Sequence, residues 1–279
     1  MTVQKLPLEY PSTHHHPIAP SLRPRLGEIA LRAARHGGIL AVFFLAWELA
    51  PRLGFVEAAF LPPISRVLET GWKLLLNGQL PRHFASSLGR SVAGFVLAIL
   101  VAIPLGLAIG RYRLFAQVVN PLLEMFRNTA ALALLPVFIL FLGIGEVSKV
   151  AIVFYGCFWP ILLNTITAVI TVDPLLIKSA RTMGLSPVRL FYKVILPASV
   201  PTIFVGIRLA GAVSVLILIA AEMIGAKSGL GYLILASQYN FQVPEMFLGI
   251  ISITVVGLLI NVLLVTLERR LTAWKRNGT

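Results

Sequence analysis

Asp173 to Pro201 reads DPLLIKSARTMGLSPVRLFYKVILPASVP, the longest run without a bilayer-length apolar segment between the first hydrophobic span and the last. It carries Lys178, Arg181, Arg189 and Lys193. Its punctuation predicts two short helices. Asp173 can accept a backbone N–H as N-cap, with Pro174 at the first helical position, where a missing donor costs nothing. Met183-Gly184 ends that helix, because glycine takes a left-handed C-terminal conformation without a Cβ clash. Ser186-Pro187 repeats the cap-plus-proline start, and Pro197 with Pro201 is expected to stop the second helix. A compact basic helix–turn–helix hung between membrane spans has no lipid-facing role. It reads as a docking surface.

The surroundings of that stretch are apolar. The chain is 57% hydrophobic and only 13% charged, with a mean hydropathy of +0.87, whereas a soluble domain carries about 25% charged residues. The expected fold class is therefore an all-α integral membrane protein. Six spans are predicted, approximately Gly38–Gly54, Ser87–Gly110, Thr129–Ile144, Val147–Thr171, Thr202–Met223 and Met246–Leu267. Between the first two, Ile64, Val67, Leu68, Trp72, Leu75 and Leu76 recur at helical spacing after Leu61-Pro62-Pro63, which predicts an amphipathic interfacial helix. Pro104, Pro136 and Pro160 fall inside spans, where kinks are expected. Met1–Arg35 has no apolar core before its basic cluster, so it is not read as a signal peptide. His14-His15-His16 lies in a Pro/Ser-rich tail read as disordered. The expected organisation is a cytoplasmic, partly disordered tail over 1–36, a transmembrane domain over 37–270 and a cytoplasmic tail over 271–279.

The net charge of +13 is not a nucleic-acid signature, because its carriers cluster beside apolar spans. With both termini inside, most of the 24 Lys and Arg fall in the cytoplasm, including Arg111, Arg113, Arg127, Arg208, Arg269, Arg270 and the Asp173–Pro201 stretch. The positive-inside rule selects that orientation. In the fifth span, Arg208, Ala212, Val215, Ile219 and Glu222 fall on one stripe at 100° per residue. Arg208 and Glu222 stand about 21 Å apart at helical rise, so they cannot pair with each other. Charges there are costly in lipid. Two readings stay open: the stripe lines a translocation path, or the two charges snorkel to opposite interfaces. Ser228-Gly229-Leu230-Gly231-Tyr232 then allows a tight reversal, as a gate or as a rest for an external partner. Glu48 is an acid within the first span, read as packing against a polar neighbour. Cys157, the single cysteine, can form no intrachain disulfide. No G-x-x-x-x-G-K-[ST] phosphate loop occurs; Gly225-Ala226-Lys227-Ser228 only echoes one.

Lys178-Ser179-Ala180, then Gly184, then Val194-Ile195-Leu196-Pro197, at these spacings, resembles the EAA loop of permease subunits from bacterial ABC importers. Lys178 departs from the family's usual acid, and Val194 from its isoleucine. Leu61-Pro62-Pro63, Gly143-Ile144-Gly145-Glu146-Val147-Ser148-Lys149 and Ala221-Glu222-Met223 with Ser228-Gly229-Leu230-Gly231-Tyr232 extend the resemblance to the nitrate/sulfonate/taurine permeases, over roughly residues 61–270. The resemblance implies a type I ABC importer permease fold, with Lys178, Ser179, Ala180, Arg181, Gly184, Leu185, Ser186, Pro187, Leu196 and Pro197 coupling the bundle to an ATPase. It implies a bacterial inner-membrane homodimer, two ATPase subunits that use ATP and Mg, and a periplasmic or lipid-anchored substrate-binding protein. This chain itself is then non-catalytic, binds no cofactor, and moves a small anion or organosulfonate. A pyrimidine or vitamin-precursor cargo is the alternative within the same architecture. A secondary transporter would show internal repeats with central ionisable groups, and a membrane enzyme would cluster His, Asp or Cys within one span. Neither pattern is found in the sequence.

Overall fold

Residues 26–271 are described in the computed structural model, with side chains from residue 38. His14, His15, His16, Lys5, Arg23, Arg25, Lys275 and Arg276 lie outside the described residues. Along the chain run α1 (Leu26–Arg52), α2 (Ile64–Leu76), α3 (Gln79–Arg111), α4 (Arg113–Arg127), a 3₁₀ turn (Ala131–Leu134), α5 (Leu135–Leu142), α6 (Glu146–Ile170), α7 (Pro174–Thr182), α8 (Pro187–Leu190), a π-turn (Phe191–Ile195), α9 (Leu196–Met223), α10 (Leu230–Tyr239) and α11 (Val243–Leu271). No strand occurs among the described residues.

Four segments are long and apolar enough to cross a bilayer: α3, α6, the continuous Pro187–Met223 and α11. They coincide with the second, fourth, fifth and sixth expected spans. A fifth arises when α4 and Ala131–Leu142, bent by 86°, count as one broken span. The first and third expected spans are not among the four. The third is only α5, which has Pro136 in its first turn and stops at Gly143 with φ +81°. Its rise of about 12 Å falls far short of the ~30 Å hydrocarbon core.

Small residues set how α3, α6 and α9 meet. Gly94, Ala98, Ala102, Gly106 and Gly110 form one stripe along α3, since positions four apart share a helix face. A Cβ added at Gly94, Gly106 or Gly110 would fall 2.7 Å from the Cβ of Val153, Thr165 or Val169 of α6, respectively. The α6 backbone therefore lies closer than any larger side chain would permit, as small residues allow in lipid. On the far side, a Cβ at Gly206 of α9 would stand 2.8 Å from the Pro160 carbonyl oxygen. Ile152, Val153, Cys157, Ile161 and Leu162 are wholly buried in the resulting core.

One expectation needs correction. Pro197 and Pro201 do not stop the second helix of the basic stretch; the helical path continues from Pro187 to Met223. The π-turn Phe191–Ile195 widens the backbone just before Pro197, where a tight α-turn would set the proline ring against the carbonyl four residues back. Arg127 is the last residue of α4, beside the middle of α6. The Tyr155 hydroxyl donates to the Phe126 carbonyl at 2.6 Å, and Tyr155 lies about 14 Å along α6 from Glu146 at 1.5 Å per residue.

The amphipathic helix α2 forms as expected, with Val67, Gly71 and Leu74 as its inward face, buried against Leu248 of α11, while Leu68, Trp72, Leu75 and Leu76 are exposed. Glu48 accepts from the Ser65 N–H at 3.0 Å and the Ser65 hydroxyl at 2.8 Å, and pairs with Arg52. It tethers α1 to the first turn of α2.

Candidate functional site

The basic stretch folds into a knuckle. The Asp173 carboxylate accepts the Leu175 N–H at 2.8 Å and caps α7. At the other end Gly184 takes φ +75°. Its N–H bonds to the Arg181 carbonyl at 3.0 Å, and the Leu185 N–H reaches back to Ala180 at 3.2 Å. These two bonds define a Schellman closure, which requires the left-handed residue that glycine supplies. Ser186 precedes α8 in extended conformation, though its side chain makes no cap bond. Val169, Val172, Ala180, Leu190 and Ile195 form a buried cluster beneath the knuckle, joined by Leu107, Ile177, Leu185, Phe191, Val194 and Ala198. The knuckle is thus keyed into the ends of α3, α6 and α9, and displacing it displaces them.

Its outer face is open. Lys178, Ser179, Arg181, Ser186, Pro187, Arg189 and Lys193 are exposed, while Leu196 and Pro197 are half-buried at the start of α9. None of the four cations forms an ion pair among the described residues. Between them stand Leu175, Leu176, Met183, Val188 and Tyr192, all exposed, with Met183 at 79%. The sequence reading singled out the charges and missed this apolar component. Apolar centres ringed by charge characterise protein interfaces more than solvated loops.

At the opposite end of the bundle lies a buried polar cluster. Arg90 of α3 donates through Nη1 to Glu222 Oε1 at 2.7 Å and to the Ser228 carbonyl at 2.6 Å. Through Nη2 it reaches Glu146 Oε1 at 2.6 Å and Ser228 Oγ at 3.1 Å, and its Nε also donates to Glu146. The Ser87 hydroxyl stands 2.8 Å from both Glu222 oxygens and accepts the Leu230 N–H at 2.8 Å. Glu222 also accepts the Gly231 N–H at 3.0 Å, and His83 Nδ1 accepts the Gly229 N–H at 3.1 Å. The free donors at the start of α10 are therefore satisfied by α3 and α9 side chains. Lys149 donates to the carbonyls of Gly145 and Gly225 at 3.1 and 3.3 Å. A Cβ on Gly229 would overlap the Glu222 carboxylate, so glycine is needed for its close approach as well as for its φ of +123°. Ser228–Tyr232 is thereby locked to α3 and α9.

The fifth-span stripe divides. Glu222 is 1% exposed and Val215 8%, with Ile219 half-buried, whereas Arg208 and Ala212 are open. Arg208 Nη1 pairs with Glu268 of α11 at 3.3 Å. Arg90, Ser87, His83 and Glu146 were missed in the sequence. The available signal was an arginine one turn into an apolar span, flanked by Ser87 and Ser91.

Residues 94–276 match the family described as binding-protein-dependent transport system inner membrane component. The chain belongs to that family. A probable ABC transporter permease protein of Brucella abortus (strain 2308) is 39% identical over 238 residues, covering 85% of this permease and 94% of the relative. The putative aliphatic sulfonates transport permease protein SsuC of Bacillus subtilis (strain 168) is 35% identical, covering 85% and 86%. The taurine transport system permease protein TauC of Escherichia coli (strain K12) is 32% identical, covering 85% and 88%. In fold, the permease is similar to a chain of the MetNI methionine ABC transporter solved in inward facing conformations, with a TM-score of 0.57 and 19% identity over 73% of this chain and 99% of that one. The permease is a multi-pass, non-catalytic inner-membrane subunit of an ABC importer, and membership implies an ATPase and a substrate-binding protein as partners.

Proposed function

We propose that this permease imports a small anion or organosulfonate of the sulfonate, taurine or nitrate type, drawing its drive from ATP and Mg used by two separate ATPase subunits and binding no cofactor of its own. The similarity to permeases named for aliphatic sulfonates and for taurine carries the substrate class. In this reading two copies form the membrane unit, with α1 as first span and the bent α4–α5 pair as third. Both termini and the knuckle face the cytoplasm, and a binding protein, free or anchored, delivers cargo outside. Lys178, Ser179, Ala180, Arg181, Gly184, Leu185, Ser186, Pro187, Leu196 and Pro197 form the ATPase-coupling surface; the exposed basic and apolar face of the knuckle supports that role. Arg208 and Ala212 are the open members of the fifth-span stripe available to a path, while Val215, Ile219 and Glu222 are covered within one protomer.

The test is uptake of radiolabelled taurine, an alkanesulfonate and nitrate by cells expressing the permease with its ATPase and binding protein. Saturable, ATP-dependent accumulation of at least one anion is expected. Accumulation of none of the three would overturn the substrate class.

A further inference from the structure

The helix α4 has three distinct faces. Ala116, Val119 and Leu123 pack on the bundle core. Leu114, Val118, Leu122 and Met125 are exposed and apolar, from 55% to 80% open. A third face, at helical spacing, carries Arg113, Gln117, Asn120, Glu124 and Arg127, all exposed. A helix with one core face and one lipid face has no use for a polar stripe unless that stripe meets water or another polar surface.

This stripe climbs from the end of α3 at Arg111 to the break between α4 and α5. The break lies beside the middle of α6, where the Tyr155 hydroxyl donates to the Phe126 carbonyl, about 14 Å from Glu146 at helical rise. Broken helices at that depth persist only where the freed backbone groups find partners or water. Here the carbonyls are served locally: Asn128 Nδ2 donates to Glu124 O at 2.9 Å, and the Thr129 hydroxyl to Met125 O at 3.4 Å. Arg127 is not needed for this. Its guanidinium makes no hydrogen bond or ion pair among the described residues, although Glu124 is one turn away on the same face. An unpaired cation at mid-depth is expensive unless it faces an aqueous cavity, where it becomes a site for an anion.

We infer that the polar face of α4 lines the aqueous translocation path, and that Arg127 at its midpoint end is the contact for a small oxyanion in transit. This rests on the anion-import reading above and assigns a residue to it. Arg113 and Arg127 bracket the stripe, and Glu124 between them leaves it with one net positive charge. A guanidinium suits sulfonate or nitrate because it presents planar, paired donors to such oxygens.

The test uses the full permease–ATPase complex in proteoliposomes. Gln117→Cys and Asn120→Cys are each treated with an anionic and a cationic methanethiosulfonate, with Val118→Cys as the lipid-face control and the buried Cys157 giving little background. Reaction at the first two positions at least tenfold faster than at Val118→Cys is expected, with the anionic reagent preferred at Asn120→Cys. That preference is expected to vanish in an Arg127→Gln background and to persist with Arg127→Lys. Equal rates on both faces, or a preference indifferent to Arg127→Gln, would overturn the assignment. Labelling needs no cargo, so it fails or succeeds independently of the uptake measurement.

Discussion

A side chain added at Gly184 would meet nothing within 4 Å, so the penalty there is confined to a backbone held at φ +75°. For a β-branched residue that strain is of order 1–3 kcal/mol, and for asparagine less. Gly184→Val is accordingly expected to assemble normally yet lose uptake per ATP hydrolysed, with Gly184→Asn intermediate; paired uptake and ATPase assays check this. Undiminished coupling in Gly184→Val would remove the turn from the mechanism. Glu222 behaves in the opposite way. It is buried against Arg90; removing Arg90 costs about 3–5 kcal/mol because Glu222 stays buried without its cation, while removing Glu222 leaves Arg90 still paired with Glu146 but strands the Gly231 N–H. Glu222→Ala and Arg90→Ala should each lower the melting temperature of the purified protein markedly, whereas Arg90→Met/Glu222→Leu should lose less than the two single changes combined. Glu146→Ala should be milder, its side chain being 68% exposed. Gly184 was readable from sequence because a capped helix, a glycine and a second cap announce their own geometry. Arg90 was not, because its acidic partner lies 132 residues away and local pattern cannot supply a partner that only tertiary packing brings near.

The same contrast holds for whole elements. The four spans that met both length and hydropathy were legible, since twenty apolar residues leave a helix little alternative in lipid. The stripe of small residues on α3 fixes how closely two of them pack. Gly106→Leu should therefore destabilise the bundle severely, since even a Cβ would stand 2.7 Å from Thr165 Cβ and 3.1 Å from the Leu162 carbonyl oxygen. Gly89→Leu, with nothing within 4 Å, should leave yield and melting temperature close to wild type, and both are read in one thermal-shift experiment. Where the sequence misled, hydrogen bonding had found an irregular solution. Pro197 signals a stop under α-helical rules, but a π-turn ahead of it carries the helix on. The α4–α5 unit was misread for a related reason: half of it is amphipathic rather than apolar, so a hydropathy window registers only the α5 half.

Taken as a whole molecule, the bundle is polarised. At one end stand Arg111, Arg113, the four knuckle cations, Arg269 and Arg270; at the other, Arg90 pairs with both Glu222 and Glu146, and Lys149 donates to the Gly145 and Gly225 carbonyls. Excess positive charge at one end resists translocation, and neutralised charge at the other does not. The knuckle should therefore face the cytoplasm and the α10–α11 corner the outside. Cys157 is wholly buried, so the native chain should give almost no background with a membrane-impermeant maleimide. In intact cells Asn240→Cys is expected to label at once, and Ser186→Cys only after the membrane is permeabilised. The reverse pattern would set the exposed knuckle where no ATPase can reach it, and the core that ties it to α3, α6 and α9 would then transmit nothing from inside. The two positions are joined through α9, roughly 40 Å long at helical rise, so one labelling experiment fixes the direction in which force must travel along that helix.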